Sequence, residues 1–233
     1  MLTILEPVSV VIPVFNGEPY LAQTIETVLA QTLPPEEIIL VDDGSTDAGP
    51  AIAEAFPGVR LIRQSHAGGA AARNAGIGAA RSDLVAFLDQ DDLWAPRKLE
   101  LQVARMSASR ELGYTLAGQR MFLEPGCPAP AWLRPELVAR AVPGIVPGTL
   151  VARKWVFTRI GAFDTMYRWS DDTDWFLRAR EASIPMAILD EVLLLRRVHQ
   201  ANASADPRSA RELVQAVHAS LLRRRTAGKE QVP

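Results

Sequence analysis

Leu84-Val85-Ala86-Phe87-Leu88, closed by Asp89-Gln90-Asp91-Asp92, is the stretch of this chain that decides its fold. An uninterrupted apolar run of this length reads as a strand buried on both faces, as in a parallel sheet. Its carboxylates then emerge at the strand's C-terminal edge, where open α/β sheets bind ligands. Asp89 and Asp91 stand two residues apart, and Gln90 between them lets both turn toward one point. Like charges gathered this closely are costly unless they share a cation, and oxygen ligands select a hard divalent ion, Mg²⁺ or Mn²⁺. A metal held in this way usually grips phosphate.

Upstream, the chain alternates strand and helix. Val8–Pro13 is expected as a strand stopped by its proline, and Leu21, Ile25, Val28 and Leu29 give Tyr20–Thr32 a helical spacing. Ile38–Val41 is a second strand, after which Ser45 or Thr46 caps a helix reaching Phe56. Val59–Arg63 is a third strand and Ala70–Ala80 a third helix. This βαβαβαβ series predicts a mostly parallel, Rossmann-like α/β sheet flanked by helices, with the ends of strands one, two and four on one edge. Beyond Leu101 the pattern loosens. Leu123–Pro135 reads as a loop, Gly144–Val151 as a strand, and Arg153–Ile160 as a helix broken at Gly161. A further helix covers Asp171–Ala182, and a polar, Ala-rich one follows Ser204, with Arg223-Arg224-Arg225 near its end.

Composition bounds the function. The 233 residues are 48% hydrophobic, enough for a good core, and 25 basic against 27 acidic side chains leave a net charge of −2, which gives no global pull toward nucleic acid. The single cysteine, Cys127, cannot form an internal disulfide, so a reducing cytoplasm is expected and Cys/His zinc ligation is excluded. No apolar run approaches the roughly 20 residues that span a bilayer, so any membrane contact is expected to be peripheral, at its inner face.

Five blocks together resemble a known family. Val11-Ile12-Pro13-Val14-Phe15-Asn16, Val41-Asp42-Asp43-Gly44-Ser45-Thr46-Asp47, Ala72-Arg73-Asn74-Ala75-Gly76, Phe87-Leu88-Asp89-Gln90-Asp91-Asp92 and Ser170-Asp171-Asp172-Thr173-Asp174-Trp175 are similar, in order and spacing, to family 2 glycosyltransferases with the GT-A fold. The resemblance covers residues 8 to about 203. It implies one domain over 1–203, with a nucleotide-sugar half (about 1–100) and an acceptor half (101–203), followed by a helix and tail over 204–233. It also implies an inverting, metal-dependent transfer of a sugar from a nucleoside diphosphate donor, UDP-type favoured, to a saccharide, lipid-linked or other hydroxyl acceptor.

Residue by residue, the resemblance makes Asp91 the first choice as metal ligand. Asp89 is placed to meet the donor ribose or the metal, and Asp92 to hold the loop. Asp43 resembles the carboxylate that accepts from the nucleobase, with Phe15 flanking the base and Pro13 and Asn16 in the same binding block; Arg73 is expected at base or phosphates. Single-displacement inversion needs a base opposite the leaving group. Asp172 matches it, beside Asp171, where most members have Glu. Arg196-Arg197-Val198-His199 resembles a segment closing over the donor, with His199 completing the metal shell and Arg196 or Arg197 neutralising phosphate. Trp132, Trp155 and Trp169 offer apolar faces for the acceptor.

Other readings compete at each block. Asp42-Asp43-Gly44-Ser45 is also turn chemistry followed by a helix cap, and Asp171, Asp172 and Asp174 also suit a helix's first turn. Gly76-Ile77-Gly78 does not open a helix, and Arg81 stands where a third glycine would be needed, which excludes a dinucleotide loop. A phospho-receiver would need its acid pair after the first strand and a lysine between Lys98 and Lys154, and neither is present. A sugar nucleotidyltransferase would carry a glycine-rich basic loop where Pro13-Val14-Phe15-Asn16 stands. A non-catalytic nucleotide-sugar binder of the same fold is the main rival, and the intact Asp171-Asp172 pair argues for turnover.

Overall fold

The computed structural model describes residues 5–130, 133, 138, 140–200, 202, 206 and 208–229. The first half follows the sequence pattern closely. Strand β1 (Val8–Val14) is followed by α1 (Leu21–Leu29), β2 (Glu37–Asp42), α2 (Gly49–Glu54), β3 (Val59–Arg63), α3 (Gly69–Ala79) and β4 (Leu84–Phe87). Pro13 does not stop β1, contrary to expectation. Val11 turns its carbonyl toward β4, where it accepts from the N–H of Leu88, so Pro13, two residues on, faces the same side just where β4 leaves the ladder. The proline lacks a donor only where none is needed. The expected Ser45 or Thr46 cap is also absent, because α2 starts at Gly49 without a side-chain cap.

The second half departs further. It contributes β5 (Leu93–Trp94), α4 (Lys98–Ala108), β6 (Tyr114–Leu123), β7 (Val142–Pro143), β8 (Val151–Arg153), α5 (Lys154–Ile160), α6 (Asp171–Glu181), β9 (Met186–Val198) and α7 (Arg208–Lys229). The expected strand over Gly144–Val151 is instead a short 3₁₀ turn, Pro147–Thr149, between β7 and β8. Two long strands, β6 and β9, went unread. Their sequences mix apolar with arginine, glutamate and aspartate, because both belong to the half of the sheet that borders the site and are only partly buried along their length.

Among the described residues one sheet runs β3-β2-β1-β4-β8-β6-β9-β5, with β7 on β6. β1, β2, β3 and β4 are parallel, β8 is antiparallel to both β4 and β6, and β9 is parallel to β6. Consequently β1, β2, β3, β4, β6 and β9 all point the same way, and their carboxyl ends share one edge. Alternation along β1 feeds two cores. Val10 and Ile12 pack with Leu21 and Ile25 of α1 and Leu99 and Val103 of α4. Val11 packs with Ala72 and Ile77 of α3, Phe157 of α5 and Trp175 and Phe176 of α6. No helix among the described residues is long and apolar enough to cross a membrane.

Helix α3 lies unusually close to the sheet at Gly76, where a methyl group would stand 2.3 Å from Cγ1 of Val11. Gly76→Ala must push α3 off β1, and a loss of about 1–3 kcal/mol is expected in urea unfolding. An unchanged midpoint would show that the helix has room to move.

Candidate active site

The shared carboxyl edge gathers residues that lie far apart in sequence. β1 has β2 on one side and β4 on the other, so the crevice of an open sheet opens at its end. Gln90 closes that crevice at its base: its Oε1 accepts from the Phe15 N–H at 2.7 Å and its Nε2 donates to the Phe15 carbonyl at 3.0 Å. Gly17 permits this approach, since a Cβ there would stand 2.8 Å from Gln90 Oε1. Asn16 adopts φ 54°, tolerable for asparagine, and its Oδ1 accepts from the Thr46 N–H while its own N–H donates to Ser45 Oγ. The hydroxyls read as a helix cap therefore tie the β2 loop to the β1 loop. Pro13 is buried below them in β1.

Asp43 is only 2% exposed, and protein donors surround its carboxylate. Oδ1 accepts from Gln64 Nε2 and the Ala67 N–H; Oδ2 accepts from the Gly68 N–H and pairs with His66 Nδ1 at 2.8 Å. Asp43 thus shapes the loop after β3, and through it the position of His66. The ring of His66 stacks on exposed Phe15 with centroids 4.1 Å apart. His66 went unread in the sequence, where a lone histidine after a short strand carries no signal.

The acidic clusters meet through one cation. Arg73 of α3 donates from Nη2 to Asp89 Oδ1 and from Nη1 to Asp171 Oδ2, each at 2.8 Å. Its guanidinium is thereby committed to two carboxylates, where the sequence reading placed it at base or phosphates. Asp171 and Asp172 open α6, where the helix macrodipole favours charged carboxylates. Burial outweighs that effect. It pushes Asp171 above the usual carboxylate range despite the opposing charge of Arg73. Asp172 is pushed up to about 6, first by burial and then by the charge of Asp171. Its Oδ1 accepts from the Thr173 N–H at 2.6 Å. Asp172 forms no ion pair among the described residues.

On the other side of the cluster, Asp91 Oδ2 lies 2.9 Å from His199 Nε2 and 3.3 Å from Asn202 Nδ2. Asp89 and Asp91 therefore do not turn to one point: Asp89 faces Arg73 and Asp91 faces His199. Among the described residues no three His, Cys, Asp or Glu side chains lie close enough to hold a metal by themselves. Asp92 is buried and its Oδ1 accepts from the Arg197 N–H at 2.8 Å, holding the loop to β9. Burial, then the charges of Asp91 and Asp89, keep its carboxyl well above the usual range.

Arg197 is not available to phosphate. Its guanidinium donates to the Asp91 carbonyl, to Glu124 and to Gln23, and lies over the rings of Tyr20 and Phe122. The segment expected to close over the donor is, through Val198, the end of a 13-residue strand, and His199 is buried against the Tyr20 ring. Arg196 is half-buried on the alternate side of β9. Among the tryptophans, Trp155 follows Arg153, which pairs with Leu84 at the start of β4, so it sits at the edge opposite the site. Trp169 lies two residues before Asp171 with Arg168 and Arg208 over its ring. Trp132 falls outside the described residues.

Comparison with known proteins bears on the family and the fold. The family model for glycosyl transferase family 2 matches residues 9–125. An uncharacterized glycosyltransferase of Rickettsia typhi is 29% identical over 94% of this chain and 72% of its own length. A Rickettsia prowazekii counterpart is 30% identical over 84% of this chain, which spans 65% of it. The glycosyltransferase GlyG of Streptococcus pneumoniae is 42% identical over 41% of this chain and 33% of its own length. The chain thus spans from about a third to under three quarters of these relatives. Among solved structures, residues 1–349 of S. aureus TarS in complex with UDP-GlcNAc superpose with a TM-score of 0.74 at 18% identity, covering 93% of this chain and 66% of that one. The complex of the same protein with UDP gives 0.70 at 19% identity. The fold is of the GT-A type.

Removing the shared cation leaves two acids facing each other. Arg73→Met is expected to cost about 3–5 kcal/mol at pH 8. Without Arg73, Asp171 rises further above its unfolded value, so the variant loses stability as pH climbs and recovers part of it at pH 5. Urea unfolding at the two pH values checks this; an equal loss at both would mean that packing, not charge, is what Arg73 supplies.

Proposed function

Because the chain belongs to glycosyl transferase family 2, we propose that it moves a sugar, with inversion, from a nucleoside diphosphate donor to a hydroxyl acceptor. The observation that carries this reading is the unequal pair at the start of α6. Asp171 is tied to Arg73, while Asp172, raised to about 6, makes no ion pair among the described residues and keeps a carboxylate that both ionises at neutral pH and still accepts a proton. Asp172 takes the proton from the acceptor hydroxyl as that oxygen bonds to the anomeric carbon. The bond to the diphosphate breaks on the opposite side and its electron pair leaves with the diphosphate. Asp171 and Asp89, linked through Arg73, fix the distance between the base and the donor side of the site.

The nucleotide end is assigned to the β1 and β3 loops. Phe15, stacked on His66, offers a ring face for the base, and the Asp43-ordered loop sets that stack. UDP and UDP-GlcNAc bound by TarS favour a UDP-type donor. Arg196 remains as the basic group for phosphate. Asp91 and His199 fit as the protein's share of a Mg²⁺ or Mn²⁺ site: an oxygen and a nitrogen donor 2.9 Å apart suit an ion that draws its other ligands from phosphate and water. When bound, such an ion offsets charge developing on the diphosphate. Trp169 stands near enough to Asp171 in the chain to face the acceptor. A saccharide, lipid-linked or other alcohol fits this role.

Asp172→Asn keeps the shape of the carboxyl and removes its basicity. Turnover is expected to fall by at least ~10² with donor affinity nearly unchanged, and Asp171→Asn to cost less. In the native enzyme kcat should rise through pH 6, since the proton held below about 6 blocks the base. If both variants retain native turnover, the base is not in this pair; native protein that binds donor but shows no turnover would instead be a nucleotide-sugar binder.

Asp91→Ala should abolish the metal-dependent part of nucleoside diphosphate binding while preserving the fold. Calorimetric titration with and without Mn²⁺ measures it, and unchanged metal-dependent affinity would remove Asp91 from the ligand set.

A further inference from the structure

Helix α7 is amphipathic in the reversed sense. Its inward side is small or polar: Ala216 and Ser220 are buried, and Glu212 accepts from the backbone N–H groups of Arg168 and Trp169. Ser220 and Arg223 hold Glu181 of α6, and Arg223 also reaches Asp174 at 3.3 Å. The apolar residues point outward. Leu213 is 45% exposed, Val214 67%, Val217 41%, Leu221 52% and Leu222 47%. Leu213, Val217 and Leu221 recur every four residues with Val214 beside them, which makes one continuous stripe. Glu212 is the only acid between residues 208 and 229 and it faces inward, so the exposed charges Arg211, Arg224 and Arg225 are all basic.

A second feature adjoins the C-terminal end of this stripe. A cavity of about 590 Å³ lies where α5, α6 and α7 meet, lined by Arg159, Arg178, Arg180, Arg223 and Arg224 around a single acid, Glu181. Arg178 is spent on Asp174 and on the carbonyls of Ile160, Gly161 and Ala162, and Arg223 on Glu181. Arg159, Arg180 and Arg224 form no ion pair among the described residues, so the cavity is positive.

We propose that α7 and this cavity dock the protein on an anionic lipid bilayer. The apolar stripe enters the boundary of the acyl chains and the arginines take lipid phosphates. A second copy of the chain fits less well, because pairing two such faces would oppose Arg211, Arg224 and Arg225 of each with no outward carboxylate to answer them. The inference stands apart from the catalytic assignment and is read out without turnover.

The test is co-sedimentation of the protein with vesicles of phosphatidylglycerol and phosphatidylcholine, or of phosphatidylcholine alone, at low ionic strength. Native protein should sediment with the anionic vesicles only. Replacing Leu213, Val217 and Leu221 together by Ser should weaken binding on the order of 10²-fold, as expected for three half-exposed apolar side chains. Arg224→Ser with Arg225→Ser should weaken it about 25-fold, at about fivefold per charge, and Arg180→Ser alone about fivefold. All of these side chains are exposed, so thermal unfolding followed by circular dichroism should be unchanged. The proposal is overturned if native protein ignores anionic vesicles, or if the variants sediment as native protein does. It is also overturned if light scattering shows a dimer that the triple serine variant dissolves, for a second copy then covers the stripe.

Discussion

A buried guanidinium between two carboxylates holds the site together. Arg73 belongs to the α3 crossover of the first half, Asp89 to the loop after β4, and Asp171 to a helix of the second half that starts about eighty residues later. Asp171 is buried and Arg73 nearly so, while Asp89 is about a third exposed; neither of the two inner charges could sit at this depth unpaired without being expelled or neutralised. Together they fix α6 against the end of β4. The position of Asp172 follows from that contact, and its raised pKa comes first from the burial this position imposes and then from the charge of Asp171 beside it.

The sheet makes this meeting possible. β8 runs antiparallel between β4 and β6, so it restores the common direction for β6 and β9 and brings their ends to the same edge as those of β1, β2 and β4. Arg197 and His199 at the end of β9 can then touch Asp91 and Asp92 although more than a hundred residues intervene. The β9 end is bound through the Arg197 backbone, its guanidinium and the aromatic rings around it, which makes it a wall of the site with its shape already set.

Polar groups that look catalytic are partly consumed by scaffolding. The side chains of Asp43, Asn16, Ser45, Asp47 and Gln90 accept from the backbone N–H groups of Ala67, Thr46, Asn16, Glu18 and Phe15 respectively, which ties together the loops after β1, β2, β3 and β4. A crevice floored by exposed loop backbone would lose definition without them. The groups left over, Asp172, the Asp91–His199 pair and the Phe15–His66 stack, are those with chemistry to offer a ligand. At the far end of α6 the same economy is reversed, with α7 using its polar side for packing and leaving its apolar side outward.

The βαβαβαβ half was legible in the residues alone, because a strand buried on both faces must be uniformly apolar and a crossover helix must show its period. The sequence also singled out Asp43, Asp89 to Asp92 and Asp171-Asp172 as carboxylates placed where apolar runs end, and of these Asp43 and Asp92 hold loops in place. It did not reveal β6 and β9, whose mixed composition reflects partial burial, nor the use of Ser45 and Thr46 as loop ties. Which acid faces which cation was decided by the tertiary structure alone. Asp89 and Asp91 are neighbours in the chain, yet one turns to Arg73 and the other to His199, because partners arriving from α3 and β9 set where each charge is least costly. A local pattern states which groups are present; the balance of desolvation and pairing among distant elements assigns them.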